Sequence, residues 1–493
     1  MIYNFNLGIG WASSGVEYAQ AYRAKMFRNI GADAKFVFTD FISSENIEHL
    51  TKNIGFLDSE ILWLYSYFTD FPIEPVTYTL QDLEATFDKE PSSVSRQGKI
   101  VRYIFGADNS FYTAYLVNES EDFVHRVEFV SKGYLVRKDF FTSGRLFSEY
   151  YAPLDNKAHL YNRRFFNQDG SLAYEEIIDQ DKVMYKFKDK VLCSKEDFVG
   201  YMVSCLNLTG KDTVIIDRST QIGQPILMNC GKAKVGIIVH ADHFSEKETN
   251  EDTILCNNYY EYDFNMSKHI DFYVCATEAQ SKLLKAQFKK YRNEEIQVYT
   301  IPVGSLKELK YPAKKRKPYS LITASRLAAE KHIDWIIQAV IAAKKTIPEL
   351  TLDIYGVGGE QKKCQDLINQ HQANDYITLK GQQDLTEVYQ NYEVYIAGST
   401  SEGFGLTLME AVGAGCPIIG FDVRYGNPTF IRNGKNGYCM PLPEETEDRI
   451  LALQHGIEKC FSQDLKSFHE VSYQVAEDFL TRKVEKRWKK VVM

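Results

Sequence analysis

Apolar and polar positions recur along this chain with two different periods, and the places where the period changes divide it. Residues 2–7, in which Asn4 and Asn6 alternate with apolar positions, read as a first strand, followed by a loop holding Gly8, Gly10 and Gly15 and then by Val16, Ala19, Tyr22 and Met26 at helical spacing. Another strand is expected at residues 34–38. This strand–loop–helix–strand order predicts the opening of a doubly wound α/β domain. Residues 44–68 read as helical segments that continue it.

Beyond Pro75 the pattern changes. From 99 to 191, short aromatic or β-branched runs alternate with turn signals such as Gly106-Ala-Asp-Asn-Ser110, Ser131-Lys-Gly133 and Asn167-Gln-Asp-Gly170. Runs of this length with no helical period between them predict an antiparallel β-meander inserted into the first domain. Its two edge strands have to be covered or used, so partner binding is its expected role. Asp179-Gln-Asp181 has the form of a metal-binding acid pair but lies within the meander and reads as a turn.

A helix at 195–206 is followed by short, mainly apolar runs at 214–217, 235–240 and 272–276, typical of buried parallel strands. Residues 296–302 close that half. Residues 309–318 are polar, basic and marked by Pro312 and Pro318, and read as the interdomain connection. The second half then restarts with strands at 320–324, 351–355, 377–379 and 394–397 and helices at 332–346, 360–370, 385–390 and 406–414, closed by a strand at 417–421. Ile333, Ile336, Ile337, Val340 and Ile341 lie on one helical face, as docking on a sheet requires. The expected division is therefore 1–74 and 196–308 for a first Rossmann-like domain, 75–195 for the meander, 309–480 for a second Rossmann-like domain and 481–493 for a terminal helix.

Composition narrows the function. A chain of 493 residues exceeds one hydrophobic core. Its net charge of −8 disfavours bulk capture of nucleic acid. Tyr and Phe number 32 and 30, which fits β-rich packing better than sugar-facing surfaces. The nine cysteines are scattered without zinc-finger spacing and suggest reduced residues in a reducing compartment. No secretory signal pattern opens the chain, and no apolar run approaches the roughly 20 residues that span a bilayer. A cytoplasmic location is expected. Arg482, Lys483, Lys486, Arg487, Lys489 and Lys490 face one acid, Glu485. They read as a solvated helix face, with peripheral docking on an anionic membrane or an acidic partner as the sharper alternative.

Chemistry concentrates in a few places. In Glu402-Gly-Phe-Gly-Leu-Thr-Leu-Met-Glu410, a loop with Gly403, Phe404 and Gly405 leads from a strand end into a helix beginning near Leu406. Glycines admit close approach to the backbone, and the first free N–H groups of the helix suit a diphosphate. Glu410 stands one turn further on, where a carboxylate can accept two hydrogen bonds from a ribose diol. Arg326 and Lys331 flank a short loop at the end of the strand at 320–324, where ligands sit in such sheets. A forked guanidinium and a point ammonium can converge there on leaving phosphates. Taken alone, each set also reads as ordinary surface charge. Val239-His240-Ala-Asp242-His243 ends another strand, and His240 could hydrogen-bond a bound sugar; no further ligand set points to a metal. The loop Gly8 to Tyr18 lacks Gly-x-Gly-x-x-Gly spacing, which disfavours a nicotinamide site despite Asp40, but it could close on a diphosphate.

Together, Arg326-x4-Lys331, Ile354-Tyr-Gly-Val-Gly358 and Glu402-x7-Glu410 resemble the GT-B glycosyltransferases of glycosyltransferase family 4. Within that family, the opening Asn6-Leu-Gly-Ile-Gly-Trp-Ala-Ser-Ser-Gly-Val-Glu-Tyr18 and the meander resemble the catalytic subunits of accessory-secretion-linked protein O-GlcNAc transferases, over essentially the full length. The resemblance implies a retaining, metal-free enzyme of two Rossmann-like domains. It would move N-acetylglucosamine from UDP-GlcNAc to Ser or Thr of a serine-rich repeat adhesin, with a GtfB-like companion subunit held through the meander. By position it implies that Arg326 and Lys331 bind the diphosphate and Glu410 the ribose. Glu402 and His240 or His243 would contact the sugar, Leu406 and Thr407 would offer N–H groups to phosphate, Gln382 and Gln383 would lie at the base, and Gly15, Val16, Glu17 and Tyr18 would meet UDP from the first domain. Asp422-Val-Arg-Tyr-Gly426 replaces the Gly-rich turn common in family 4, a departure shared with enzymes that glycosylate wall teichoic acid. A poly(polyol-phosphate) α-glycosyltransferase and a non-catalytic binding subunit of the same fold are the alternatives. A phosphorylase-like enzyme is disfavoured because no pyridoxal-binding lysine motif is apparent.

Overall fold

The computed structural model describes residues 1–11, 14–106 and 110–493. Ala12 and Ser13 of the opening loop, and Ala107 to Asn109 of the first meander turn, lie outside the described residues. The chain forms two compact units, the first comprising 1–238 with 258–271, the second 239–257 with 272–493.

In the first unit the strand Ile2–Asn6 pairs in parallel with Ala34–Phe38 on one side and Thr213–Ile216 on the other. Ile61–Trp63 and Lys234–Val239 extend these two sides, also in parallel. Ile61–Trp63 is a strand where helical segments were expected: three residues carry too little periodicity to be told from a helix turn, and the pairing with Phe36 to Phe38 decides. The helix Gly15–Ile30 closes with Gly31 in the left-handed conformation, φ 70°.

The meander is a ten-stranded antiparallel sheet from Ser93–Gln97 to Val191–Leu192, beginning slightly earlier than the sequence pattern predicts. Its abundant aromatics serve packing. Phe140 stacks on Phe147 with centroids 4.3 Å apart, Phe147 on Phe165 at 5.4 Å, and Phe165 on Tyr174 at 4.4 Å, giving a ring ladder across neighbouring strands. Arg163 is held between Glu149 at 2.9 Å and Glu176 at 2.7 Å. Asp179 and Asp181 flank the turn between two strands, with Gln180 at φ 54°.

In the second unit the strand order is Ile377–Gly381, Thr351–Tyr355, Ser320–Ala324, Val394–Ile396, Ile418–Phe421 and Gly437–Met440, all parallel. Gly437–Met440 adds an edge strand beyond the one expected to close the run, and helices Thr446–Phe461 and Leu465–Ala476 follow it. The helix Ile333–Ala343 buries Ile333, Ile336, Ile337 and Val340 against the sheet, as its stripe predicts. The helix expected at 385–390 is reduced to the single turn Tyr389–Asn391. The cause is local: the Asp384 carboxylate accepts from the Thr386 N–H at 3.0 Å and from its hydroxyl, a turn that competes with the helical ladder. The basic stretch before the sheet is not a free linker. Arg316 is buried, and its guanidinium donates to the carbonyls of Gln390, Tyr392 and Ala414. The helix Thr481–Val492 buries Val484, Trp488 and Val491 and leaves Arg482, Lys486, Lys489 and Lys490 exposed. Among the described residues, no helix is long and apolar enough to cross a membrane.

Candidate active site

The strand order of the second unit reverses between Ser320–Ala324 and Val394–Ile396. Chain leaving the C-terminal ends of these neighbours diverges, and such a switch point opens a crevice suited to a ligand. The loop after the first strand delivers Lys331 from the turn Ala329–Lys331; the loop after the second delivers Glu402 and runs into the helix Leu406–Gly413. Lys331 Nζ donates to Glu402 Oε2 at 2.7 Å, with about a fifth of each side chain exposed, 19% and 21%. Thr323, Ser325, Lys331, Tyr395, Glu402 and Thr407 line the recess around the pair. A neighbouring loop closes on it: Gly356 has φ 124°, and a β-carbon there would stand 1.9 Å from the Ser325 carbonyl oxygen, so only glycine fits.

The helix Leu406–Gly413 starts at Gly405, φ 87° and ψ 79°, with no side-chain cap hydrogen bond. The N–H groups of its first turn are therefore left to a ligand or to water. The Tyr395 hydroxyl, 3.0 Å from both the Ala324 carbonyl and Thr407 Oγ1, ties the helix start to the central strand. One turn on, the Tyr389 hydroxyl donates to Glu410 Oε2 at 3.0 Å. Glu410 remains solvent-accessible, yet the protein mass around its carboxylate disfavours charge and raises its pKa; the Tyr389 hydrogen bond opposes that rise. Tyr389 and Tyr395 escaped the sequence reading. For Tyr395 the signal was a phenol on an otherwise apolar buried strand, which has to find a hydrogen-bond partner, whereas Tyr389 lies in a mostly polar stretch that gave none.

His240 follows the strand Lys234–Val239 and is partly exposed. Its carbonyl oxygen lies 3.5 Å from where a Gly403 β-carbon would stand, so the structure brings it beside the Glu402 loop. His243 is placed differently. It is 1% exposed, its Nε2 is 2.6 Å from Gln287 Oε1, and burial lowers its pKa to about 4. Phe404 is likewise an interior residue, packed on Phe430 and Phe479. Arg326 is 78% exposed and pairs with Glu330 at 3.0 Å rather than joining Lys331 and Glu402. Gln382 and Gln383 are exposed in the loop after Ile377–Gly381, where the Gln383 amide donates to the Lys380 carbonyl at 3.0 Å.

The first unit has its own switch point, between Ile2–Asn6 and Thr213–Ile216. There Ser14 caps the helix Gly15–Ile30: its hydroxyl accepts from Val16 N–H at 3.2 Å, and Glu17 accepts from Ser14 N–H at 2.6 Å. Glu17 is buried and also accepts from the Asn6 amide at 3.1 Å, while Arg218 donates to Ser14 Oγ at 2.7 Å. Gly15 and the half-exposed Tyr18 ring remain open. Among the described residues, no group of three or more His, Cys, Asp or Glu is disposed to hold a metal ion.

Two parallel-sheet α/β units, a β-meander and a cation–carboxylate pair at a switch point beside an uncapped helix start define the chain as a GT-B glycosyltransferase. The family described as "Glycosyl transferases group 1" matches residues 306–461, and the "GtfA extended beta-sheet domain" matches 93–189, the meander. A curated relative from Streptococcus gordonii, the "UDP-N-acetylglucosamine--peptide N-acetylglucosaminyltransferase GtfA subunit", is 53% identical over 491 residues, 99% of this chain and 97% of the relative. The chain belongs to this GtfA subunit family. A solved GtfA/B complex contains a chain 52% identical with TM-score 0.97, covering 100% of this chain and 99% of that one. The pneumococcal O-GlcNAc transferase GtfA, solved with UDP and GlcNAc, is 50% identical with TM-score 0.89, covering 100% and 98%.

Proposed function

We propose that this chain transfers N-acetylglucosamine from UDP-N-acetylglucosamine, with retention of configuration, to Ser or Thr hydroxyls of a serine-rich repeat adhesin, together with a GtfB-like subunit. The observation that carries this reading is the Lys331–Glu402 pair at the switch point beside the uncapped start of the Leu406–Gly413 helix. A UDP pyrophosphate there meets Lys331 and the N–H groups of Leu406 and Thr407; Arg326, held by an exposed ion pair, is cheap to recruit. Glu410, steadied by Tyr389, takes the ribose diol, and Gln382 and Gln383 lie toward the base. Gly403 and Gly405 let the donor approach the backbone, and Glu402 and His240 contact the sugar. His240 is the better placed of the two histidines, since His243 is interior.

In the reaction the acceptor hydroxyl oxygen bonds to the anomeric carbon as the bond from that carbon to the phosphate oxygen breaks. The hydroxyl proton passes to the departing phosphate on the same sugar face. Lys331, Arg326 and the helix start stabilise charge that grows only in this step, which is where electrostatic stabilisation accelerates most. The reaction as written needs no metal. The meander is the surface we assign to the partner subunit, Gly15 and Tyr18 the part of the first unit that meets UDP, and the basic face of Thr481–Val492 a peripheral contact with the inner face of the membrane from the cytoplasm.

The test is incubation of the chain and its partner subunit with UDP-N-acetylglucosamine and a serine-rich polypeptide, read by mass spectrometry. Addition of one N-acetylhexosamine per modified hydroxyl, with chelator present and UDP released, is expected. Labelling of a polyol-phosphate polymer in place of the polypeptide would move the acceptor to the teichoic-acid class. No UDP release with any acceptor would sink the enzyme assignment.

A further inference from the structure

The segment Asp422 to Gly426 plays no part in the mechanism above, yet it touches both sides of the sugar end of the site. Toward Glu402 the contact is through backbone. The Glu402 carbonyl accepts from the N–H groups of Tyr425 at 2.6 Å and Gly426 at 2.7 Å, and Glu402 N–H reaches the Arg424 carbonyl at 3.3 Å. Gly426 must be glycine for this, because a β-carbon there would lie 2.4 Å from the Phe404 carbonyl oxygen and 2.8 Å from Glu402 Cγ. Toward the stretch that carries His240 the contact is through side chains. Arg424 Nη2 pairs with Glu246 at 2.9 Å, and its guanidinium sits 4.8 Å above the Phe244 ring. The Tyr425 ring, 1% exposed, lies nearly parallel to His243 with centroids 6.4 Å apart.

We propose that Arg424 and Tyr425 are positioning residues: they form a clasp that fixes the 240–246 stretch against the Glu402 loop, so that His240 and Glu402 keep one spacing around the donor sugar. The inference rests on the site reading given above. The Arg424–Glu246 pair is exposed, 34% and 76%, so as an ordinary surface ion pair it would contribute little to stability. What distinguishes it is location. One end is rooted in the backbone that carries Glu402 and the other three residues from His243, whose ring is anchored by Gln287. A second tether steadies the same stretch: the Gln280 amide donates to the Ala241 carbonyl at 2.8 Å. With the stretch already anchored at that side, loss of the clasp should loosen its spacing to Glu402 without unfolding it.

The experiment uses the full chain with its partner subunit and follows UDP release. Arg424→Glu and Glu246→Arg each place like charges in the clasp and are expected to lower kcat roughly fivefold to twentyfold with KM for UDP-N-acetylglucosamine changed less than about twofold. The double exchange, Arg424→Glu with Glu246→Arg, restores an opposite pair and is expected to recover most of kcat. Single variants that match the wild type, or a double variant no better than either single one, would overturn the clasp. Glu402→Gln, run alongside, separates the two readings. If it keeps full turnover, the site assignment itself fails; if it is inactive while the Arg424 and Glu246 variants match the wild type, only the clasp fails.

Discussion

Each unit places a glycine-containing loop before a helix beside its switch point, after the first strand Ile2–Asn6 in one and after the fourth strand Val394–Ile396 in the other, and the two helix starts are treated in opposite ways. At Gly15–Ile30 the first turn is served by its own side chains: Ser14 caps it, Glu17 completes the box, and Arg218 and Asn6 hold both in place. At Leu406–Gly413 no side chain caps the start, and the nearest charges, Lys331 and Glu402, face a recess instead. A helix N-terminus is an anion site only while its N–H groups are unspent. The difference teaches that loop glycines and helix position do not mark a phosphate site by themselves; the partner inventory of the first turn does.

The sharpest way to break this comparison is to remove the cation. Lys331→Ala is expected to lower turnover about 10²- to 10³-fold, the size of effect seen when one group stabilising transition-state charge is lost. Its melting curve should stay close to that of the wild type, since a partly exposed ion pair contributes ~1 kcal/mol or less. Wild-type turnover in this variant, measured by UDP release, would remove the second-unit site from the account.

Glu410→Ala is expected to weaken UDP binding roughly tenfold to a hundredfold by calorimetry, as hydrogen bonds to a charged group contribute about 1.5–3 kcal/mol. The pH dependence has a definite direction. Desolvation by the protein around its carboxylate raises the Glu410 pKa above 4.5, so the folded state binds this proton more tightly than the unfolded state. UDP affinity should therefore fall as pH drops through the raised value, as the ribose-binding carboxylate is neutralised. Stability moves the other way, decreasing as pH rises from 4.5 through that value. Glu410→Gln should flatten both trends.

The smallest effect belongs to the first unit. Ser14→Ala removes a cap, so a loss of ~1 kcal/mol in stability is expected from denaturant unfolding, with kcat little changed. A large loss of kcat without loss of stability would mean that this helix start, too, serves the ligand.

Much of this was legible in the residues. The strands Ser320–Ala324 and Thr351–Tyr355 and the glycine-flanked start of the Leu406 helix lie where local pattern puts them, because burial on both faces leaves a continuous apolar run. The Lys331–Glu402 contact was not legible as a contact. It spans 71 residues and depends on the adjacency of Ser320–Ala324 and Val394–Ile396, a pairing order that no local period encodes. For the same reason the sequence could not separate His240 from His243, two residues of one motif that tertiary packing sends to a loop edge and to the interior. Gly437–Met440 was missed because a four-residue edge strand after Asn436 looks like loop, although that buried Asn436 side chain binds the Phe430 carbonyl and fixes the turn.

Amide hydrogen exchange with and without UDP puts the uncapped helix start to the most direct trial. The account predicts that UDP slows exchange at Leu406, Thr407 and Leu408 strongly in the wild type and much less in Lys331→Ala. Unchanged exchange across those three amides at saturating UDP would contradict it.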